Sequence, residues 1–247
     1  MRKILLSFLF LLLSQNAKAD TISLAADEWC PYNCAAKSAD LGILIDVAKE
    51  VFEKAGHKID YQNVPWTRAK EAARAGQFTG IVGAYKEDAP DFVFPEKGIL
   101  KSSNDFFVTP QATWKYNGLD SLKTISLGVI KDYSYGTEID AYIKQNEKDS
   151  GKIQMLSGDD ALQKNIEKLL AGRITVVLED AAVFNYQLKE MNKVGQAVSA
   201  GSSGEDDVYI AFSPKSPKAA EYAKLLTEGL KTLEQSGKLA EIIKKYK

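Results

Sequence analysis

The chain has 247 residues, 26% of them charged, with 32 Lys and Arg against 33 Asp and Glu and a formal net charge of −1. That balance, with no basic run beyond Lys244, Lys245 and Lys247, argues against nucleic acid or an anionic membrane surface as partner, because either selects for a basic patch. One histidine and two cysteines also leave no material for a four-ligand zinc site built on Cys and His.

The first residues read as an export signal. Arg2 and Lys3 form a charged start, Ile4 to Leu13 is apolar except for Ser7, and Ala17-Lys18-Ala19 gives a small-x-small cleavage pattern. The apolar run falls well short of the ~20 residues that span a bilayer. Removal of residues 1–19 takes away Arg2, Lys3 and Lys18, leaving 228 residues with a net charge of about −4 and Asp20 at the start. Asp20 is not a cysteine, so no lipid anchor is expected there. A mature chain of this size holds one large domain or two small ones.

The next stretch organises the rest. Thr21 to Ala26 reads as a buried strand, and Asp27-Glu28-Trp29-Cys30-Pro31-Tyr32-Asn33-Cys34 turns at its end. A strand end carrying an acid and two large aromatics is where an α/β protein keeps a ligand. Cys30 and Cys34 are spaced C-x3-C. In an exported chain a disulfide is the default reading, with a reactive or metal-binding pair as the alternative.

Downstream, strand and helix patterns alternate. Gly42–Ala55 has a helical apolar period and ends at Gly56; Lys58–Val64 alternates as a strand. Pro65 opens a helix over Trp66–Ala75, and Thr79–Tyr85 is a small-residue strand. Asn104–Val108 reads as a strand, followed by strand Ile125–Ile130, helix Thr137–Lys148, strand Ile153–Leu156, helix Asp160–Leu170, strand Ile174–Leu178 and helix Asp180–Lys189. Gly201-Ser202-Ser203-Gly204 marks a flexible link before strand Val208–Phe212, then helices Ser216–Gln235 and Leu239–Tyr246. The expected architecture is α/β with two lobes, each a mixed sheet flanked by helices around a cleft. Lobe 1 takes residues 20–109 and, on the chain's return, 204–247; lobe 2 takes 110–203.

This order of features resembles the periplasmic solute-binding proteins of ABC uptake systems, in particular the polar amino-acid-binding family, bacterial extracellular solute-binding proteins family 3, with the type II periplasmic binding fold. The landmarks are Glu28-Trp29 with Pro31-Tyr32, Pro65-Trp66, Ile81–Gly83, Gly128-Val129, Gly172-Arg173 leading to Glu179-Asp180, Asp207-Val208-Tyr209-Ile210-Ala211 and Ser236-Gly237. The resemblance implies that Asp180 holds a ligand ammonium through a charge-assisted hydrogen bond; the same residue suits a helix N-cap. It also implies an arginine shortly after the third strand to clamp a ligand carboxylate. Here Asp88 stands at that place, a departure from the pattern. Arg68, in the first turn of its helix, is a candidate for the missing cation, with a solvated side chain as the alternative. Lys131–Gly136 replaces the family's small hydroxylic turn with Tyr133, Ser134 and Tyr135.

The expected ligand-binding set is Glu28, Trp29, Tyr32, Trp66, Arg68, Gly83, Tyr85, Asn104, Phe106, Tyr133, Ser134, Tyr135, Glu179 and Asp180. Phe106 and Trp66 read equally as lobe core. No cofactor and no catalytic residue is expected. Glu28 and Glu179 share only a strand-end position, and His57, expected exposed in a turn, has no nucleophile to pair with. The expected role is capture of a small polar, amino-acid-like solute in the periplasm by a monomer, through hinge closure, for delivery to an ABC permease in the inner membrane. A dehydratase-like enzyme on the same fold, or a sensory module that presents ligand to a membrane receptor, are the alternatives. Intact-mass measurement of the exported protein should give a chain starting at Asp20; retention of residues 1–19 would refute the signal-peptide reading.

Overall fold

The computed structural model describes residues 19–246, so the export segment, Ala19 apart, lies outside the described residues. The elements run β1 (Thr21–Ala26), α1 (Ile43–Lys54), β2 (Lys58–Asn63), α2 (Trp66–Arg74), β3 (Gly80–Ala84) and β4 (Leu100–Val108). They continue through a 3-10 turn at Leu119–Thr124 to β5 (Leu127–Ile130), α3 (Thr137–Asn146), β6 (Ile153–Leu156), α4 (Ala161–Leu170), β7 (Val176–Asp180) and α5 (Ala181–Glu190), and end in β8 (Val198–Phe212), α6 (Ala219–Gln235) and α7 (Lys238–Lys245). Among the described residues no helix is long and apolar enough to cross a membrane.

Eight strands form one curled sheet in the order β2-β1-β3-β8-β4-β7-β5-β6. β1 is parallel to β2 and β3, and β5 is parallel to β6 and β7. These two parallel sets belong to two lobes, and β8 and β4 join them. The C-terminal part of β8 runs antiparallel to β3, Gly80 opposite Phe212. The whole of β4 runs antiparallel to β8, from Leu100 opposite Val208 to Val108 opposite Val198.

Gly201–Gly204 therefore differs from the expected flexible link: it is the middle of a 15-residue strand. The glycines signalled irregular backbone rather than a loop. Gly201 and Gly204 take φ of +130° and +133°, and the β4–β8 register shifts at Ser103/Asp105 and Asp105/Phe107, as β-bulges do. His57 also differs from expectation. Its ring packs edge-on against Phe52 and Tyr222, and its Nδ1 accepts from the Asp20 backbone N–H at 3.3 Å.

The first helix holds the Asp27–Cys34 loop. Leu44, Ile45, Val47, Ala48 and Phe52 of α1 are fully buried, each large side chain contributing about 1.5–3 kcal/mol. α1 has no side-chain N-cap. Its exposed N–H groups find the loop instead: Ile43 donates to the Pro31 carbonyl and Leu44 to the Tyr32 carbonyl, both at 2.9 Å, satisfying donors that every helix start leaves open. This close approach requires Gly42, at φ +102° and ψ 158°. A Cβ there would run into the Tyr32 carbonyl, and the backbone conformation is nearly glycine-only. Gly42→Ala should cost about 3 kcal/mol, roughly 6–12 °C in Tm for a domain of this size. An unchanged Tm by calorimetry would refute this role for Gly42.

Candidate functional site

The carboxyl ends of β1 and β3 in one lobe face those of β5 and β7 in the other, the place where open α/β sheets bind ligands. Direct hydrogen bonds cross the cleft between side chains delivered by those ends and by the first turn of α2. Trp29 Nε1 donates to Glu179 Oε1 at 3.1 Å, and Tyr32 OH donates to Asp180 Oδ2 at 3.2 Å. Tyr133 OH donates to Asp27 Oδ2 at 2.6 Å, and Thr67 Oγ1 to Asp132 Oδ2 at 2.6 Å. Ser102 Oγ, from β4, donates to Asp180 Oδ2 at 2.6 Å and meets Tyr85 OH at 2.7 Å.

Two adjoining cavities lie inside this contact. The larger, about 100 Å3, is bounded by Asp27, Glu28, Trp29, Trp66, Tyr133 and Glu179, among others. The smaller, about 20 Å3, shares Asp27, Trp29, Trp66 and Tyr133 and adds Gly83, Tyr85, Asp88 and Ser134. An aromatic-walled, acid-rich cleft between two lobes suits a small polar solute.

A family model decides the kinship: that of the bacterial extracellular solute-binding proteins, family 3, matches residues 22–247. The chain belongs to that family. Solved structures share the type II fold of the family. A chain solved in work on glutathione import via GshT and the cystine ABC importer TcyBC of Streptococcus mutans is 21% identical at TM-score 0.75, over 93% of this chain and 95% of that one. An ABC uptake transporter substrate-binding protein from Streptococcus pneumoniae with bound histidine is 18% identical at TM-score 0.74, over 92% of each chain. A histidine kinase sensor domain with similarity to periplasmic binding proteins is 16% identical at TM-score 0.74, over 92% and 95%. At such identities the likeness is one of fold. Among curated proteins, none matches the chain in sequence.

Within this family 3 protein, the structure gathers most of the expected residues. Glu28, Trp29, Trp66, Tyr133 and Glu179 line the larger cavity; Gly83, Tyr85 and Ser134 line the smaller. Gly83 sits at φ +82°, where a Cβ would come within 2.9 Å of Asn33 Oδ1 and 3.3 Å of the Trp29 ring. Tyr32 braces the wall through Asp180. Asp180 caps α5, its Oδ1 accepting from the Ala182 and Val183 N–H groups at 2.8 and 2.9 Å while Oδ2 takes Tyr32 and Ser102. Cys30 and Cys34 are joined by a disulfide.

Four residues lie elsewhere. Phe106 is core of the second lobe, stacked on Tyr116 with centroids 4.1 Å apart. Tyr135 is buried beside the turn, its OH accepting from the Ile130 N–H at 2.9 Å. Asn104 is buried in β4, opposite Asp180 in register. Arg68 is exposed and lines neither cavity; the inward phase of α2 is Trp66, Ala69 and Ala73, which turns position 68 outward.

Other residues at the cleft escaped the sequence reading. Asp159 lines the larger cavity from the turn that follows β6, and an acid just beyond a strand end was detectable from the sequence. Ser102 was not, because the periodicity of β4 is visible only from Asn104. Asp88 accepts from the Tyr85 N–H at 3.0 Å and faces Lys70 at 3.7 Å.

Burial shapes the electrostatics. Glu179 is 1% exposed, and desolvation pushes its carboxyl up to about 8, against the hydrogen bonds from Trp29 and the Asp180 N–H. Burial also pushes Asp27 up to about 7, with the Tyr133 hydroxyl opposing, and raises Asp88 and Asp180. Asp27 is only half-buried, so Glu179 carries the argument. Because the folded value is raised, the fold binds a proton that the unfolded chain has released. The stability from Glu179 is therefore present below about pH 4.5 and lost as pH rises to about 8. Without added solute, Tm should fall between pH 5 and pH 8.5, and Glu179→Gln should flatten that slope and raise Tm at pH 8.5. A wild-type slope that survives in the variant would refute the assignment.

Proposed function

We propose that this family 3 protein captures a small polar, amino-acid-sized solute between its lobes in the periplasm, closes on it by hinge bending, and delivers it to an ABC permease of the inner membrane. The observation that carries this reading is the set of cross-lobe hydrogen bonds converging on Glu179, Asp180, Asp27 and Asp132. Ligand pockets usually measure about 300–1,000 Å3, whereas the larger cavity here has about 100 Å3. An amino-acid-sized solute would therefore displace these lobe-to-lobe contacts rather than sit beside them. Exchange of protein–protein for protein–ligand hydrogen bonds at one set of groups is a route to coupling binding with closure.

The hinge in this reading is the bulged middle of β4 and β8. Register shifts near Asp105 and the glycines at 201 and 204 let the two strands bend while their pairing on either side persists. The expected lobes, residues 20–109 with 204–247 and 110–203, meet close to these bulges, although Phe106 and Val108 at the end of β4 pack with the second lobe. A second reading, ligand presentation to a membrane receptor, draws on the shared fold of the histidine kinase sensor domain; an adjacent kinase gene would favour it, an adjacent permease and ATPase the first. Thermal-shift screening against amino acids, amines and small organic acids tests capture itself. A solute at 100 times its Kd should stabilise by about 2.7 kcal/mol, roughly 5–10 °C here. A protein whose Tm no such solute moves would refute the reading.

A further inference from the structure

The charge around the cleft is lopsided. The larger cavity is lined by Asp27, Glu28, Asp132, Asp159 and Glu179 against Lys131 alone. The smaller is lined by Asp27 and Asp88 with no basic residue, and no arginine lines either. Lys131 is exposed at the rim. Three further cations, Lys70, Arg74 and Lys144, line the adjoining surface pocket beside Thr67 and Asp132. Lys70 faces Asp88 at 3.7 Å, donates to the Asp132 carbonyl at 3.4 Å and lies 5.0 Å over the Trp66 ring, and Arg74 pairs with Asp91 at 2.9 Å.

A second, independent feature points the same way. Glu179 is 1% exposed and lines the larger cavity. Its Oε1 is filled by the Trp29 and Asp180 N–H groups, while its Oε2 is buried with no hydrogen-bond partner among the described residues. An unpartnered buried carboxyl oxygen on a residue that lines a cavity is a polar group still to be matched, and leaving it unmatched is costly. Trp29 and Trp66 line both cavities, and indole rings attract cations, as Lys70 over the Trp66 ring already shows. A ligand ammonium or guanidinium satisfies Glu179 Oε2 and the surrounding acids together. A ligand carboxylate meets the opposite: an acid-walled space with no fork of donors to receive it.

Taking the capture reading as its base, we propose that the solute is an organic cation without a carboxylate, an amine or guanidine, whose positive group is held by Glu179 with Asp27. On binding, the cation takes the place of the protons that Glu179 and Asp27 hold in the closed cleft, and those protons pass to solvent, so uptake of the ligand is accompanied by proton release.

Calorimetric titration of the full mature protein with matched pairs tests this: cadaverine against lysine, and agmatine against arginine, with glutamate as the anionic control. At least one decarboxylated compound should bind tenfold or more tighter than its amino acid. Glu179→Gln should weaken that binding at least tenfold while circular dichroism and Tm show a folded protein. Titration at pH 7 in buffers of different ionisation enthalpy should reveal released protons. Lysine or arginine binding as tightly as its decarboxylated partner, or glutamate binding tighter than both, would overturn the proposal while leaving solute capture standing. Unchanged affinity in Glu179→Gln would overturn the assigned residue. Failure of every amine, amino acid and organic acid would overturn the capture reading and this one with it.

Discussion

The antiparallel pairing of β4 with β8 is the constraint on which the rest depends. Each lobe has its own parallel strands, and those could close around separate cores. The nine residues of β4 and the fifteen of β8 instead thread both halves into one sheet. That sets β7 beside β4, with Asn104 opposite Asp180, and so delivers Glu179 and Asp180 to the cleft. On the other side, β8 pairs with β3, which fixes β1 beside it and delivers the Asp27–Cys34 loop. Every cross-lobe contact is a consequence of where these two strands carry the chain. The bulges in the same pair locate the softest point, since the ladder is interrupted there and nowhere else along it.

Within that frame the cleft is organised around a cost. Placing Glu179 at 1% exposure removes a carboxylate from water, which a low-dielectric interior penalises heavily. Two N–H donors recover part of it, and a bound proton recovers more. The raised carboxyl is thus the signature of a site that holds negative charge in reserve. Asp180 shows the contrasting solution. Its two oxygens are spent on the α5 N-terminus, on Ser102 and on Tyr32, so it has less to offer a ligand than Glu179 beside it. Adjacent acids on one strand end therefore differ: Asp180 caps and braces with both oxygens, while Glu179 keeps one oxygen without a partner among the described residues.

Much of this was legible in the sequence, because period and punctuation are local. β1 occupies Thr21–Ala26 as read, and the helices fall within a few residues of their expected ranges. Glu28, Trp29 and Glu179 were read from strand-end positions, and Trp66 and Tyr133 from the family's order of landmarks. The errors have physical causes. Gly201–Gly204 reads as a link because glycine usually frees a chain, yet here its permitted φ values serve a bulged strand. Phe106, in a strand that reaches the cleft, reads both as a cleft aromatic and as lobe core, and the structure takes the second. One-residue alternation along β4 turns it into the second core instead, with Phe107 facing the other way to stack on Phe184. Arg68 shows the limit for helices: the first turn was placed correctly, but only the phase set by Trp66, Ala69 and Ala73 decides which side of it meets the ligand.

The disulfide is best understood from this side as well. In the chain-entropy picture a closed loop of about five residues contributes about 2 kcal/mol, under half of what a hundred-residue loop would give. Its larger effect is positional. Cys30 and Cys34 bracket a turn in which the Trp29 N–H donates to the Asn33 carbonyl at 2.7 Å and the Asn33 N–H returns to the Trp29 carbonyl at 3.2 Å. Tyr32 lies inside that turn with its ring 4.6 Å from that of Trp29. Asn33 Nδ2 ties the turn to the Asp27 carbonyl at 2.8 Å, and α1 holds it from beneath through Pro31 and Tyr32. Trp29 and Tyr32 thereby reach Glu179 and Asp180 from a rigid platform, so the geometry at the cleft is set before any solute arrives. A wall already ordered by its own bonds need not be ordered at the expense of binding energy, which is the benefit of preorganisation.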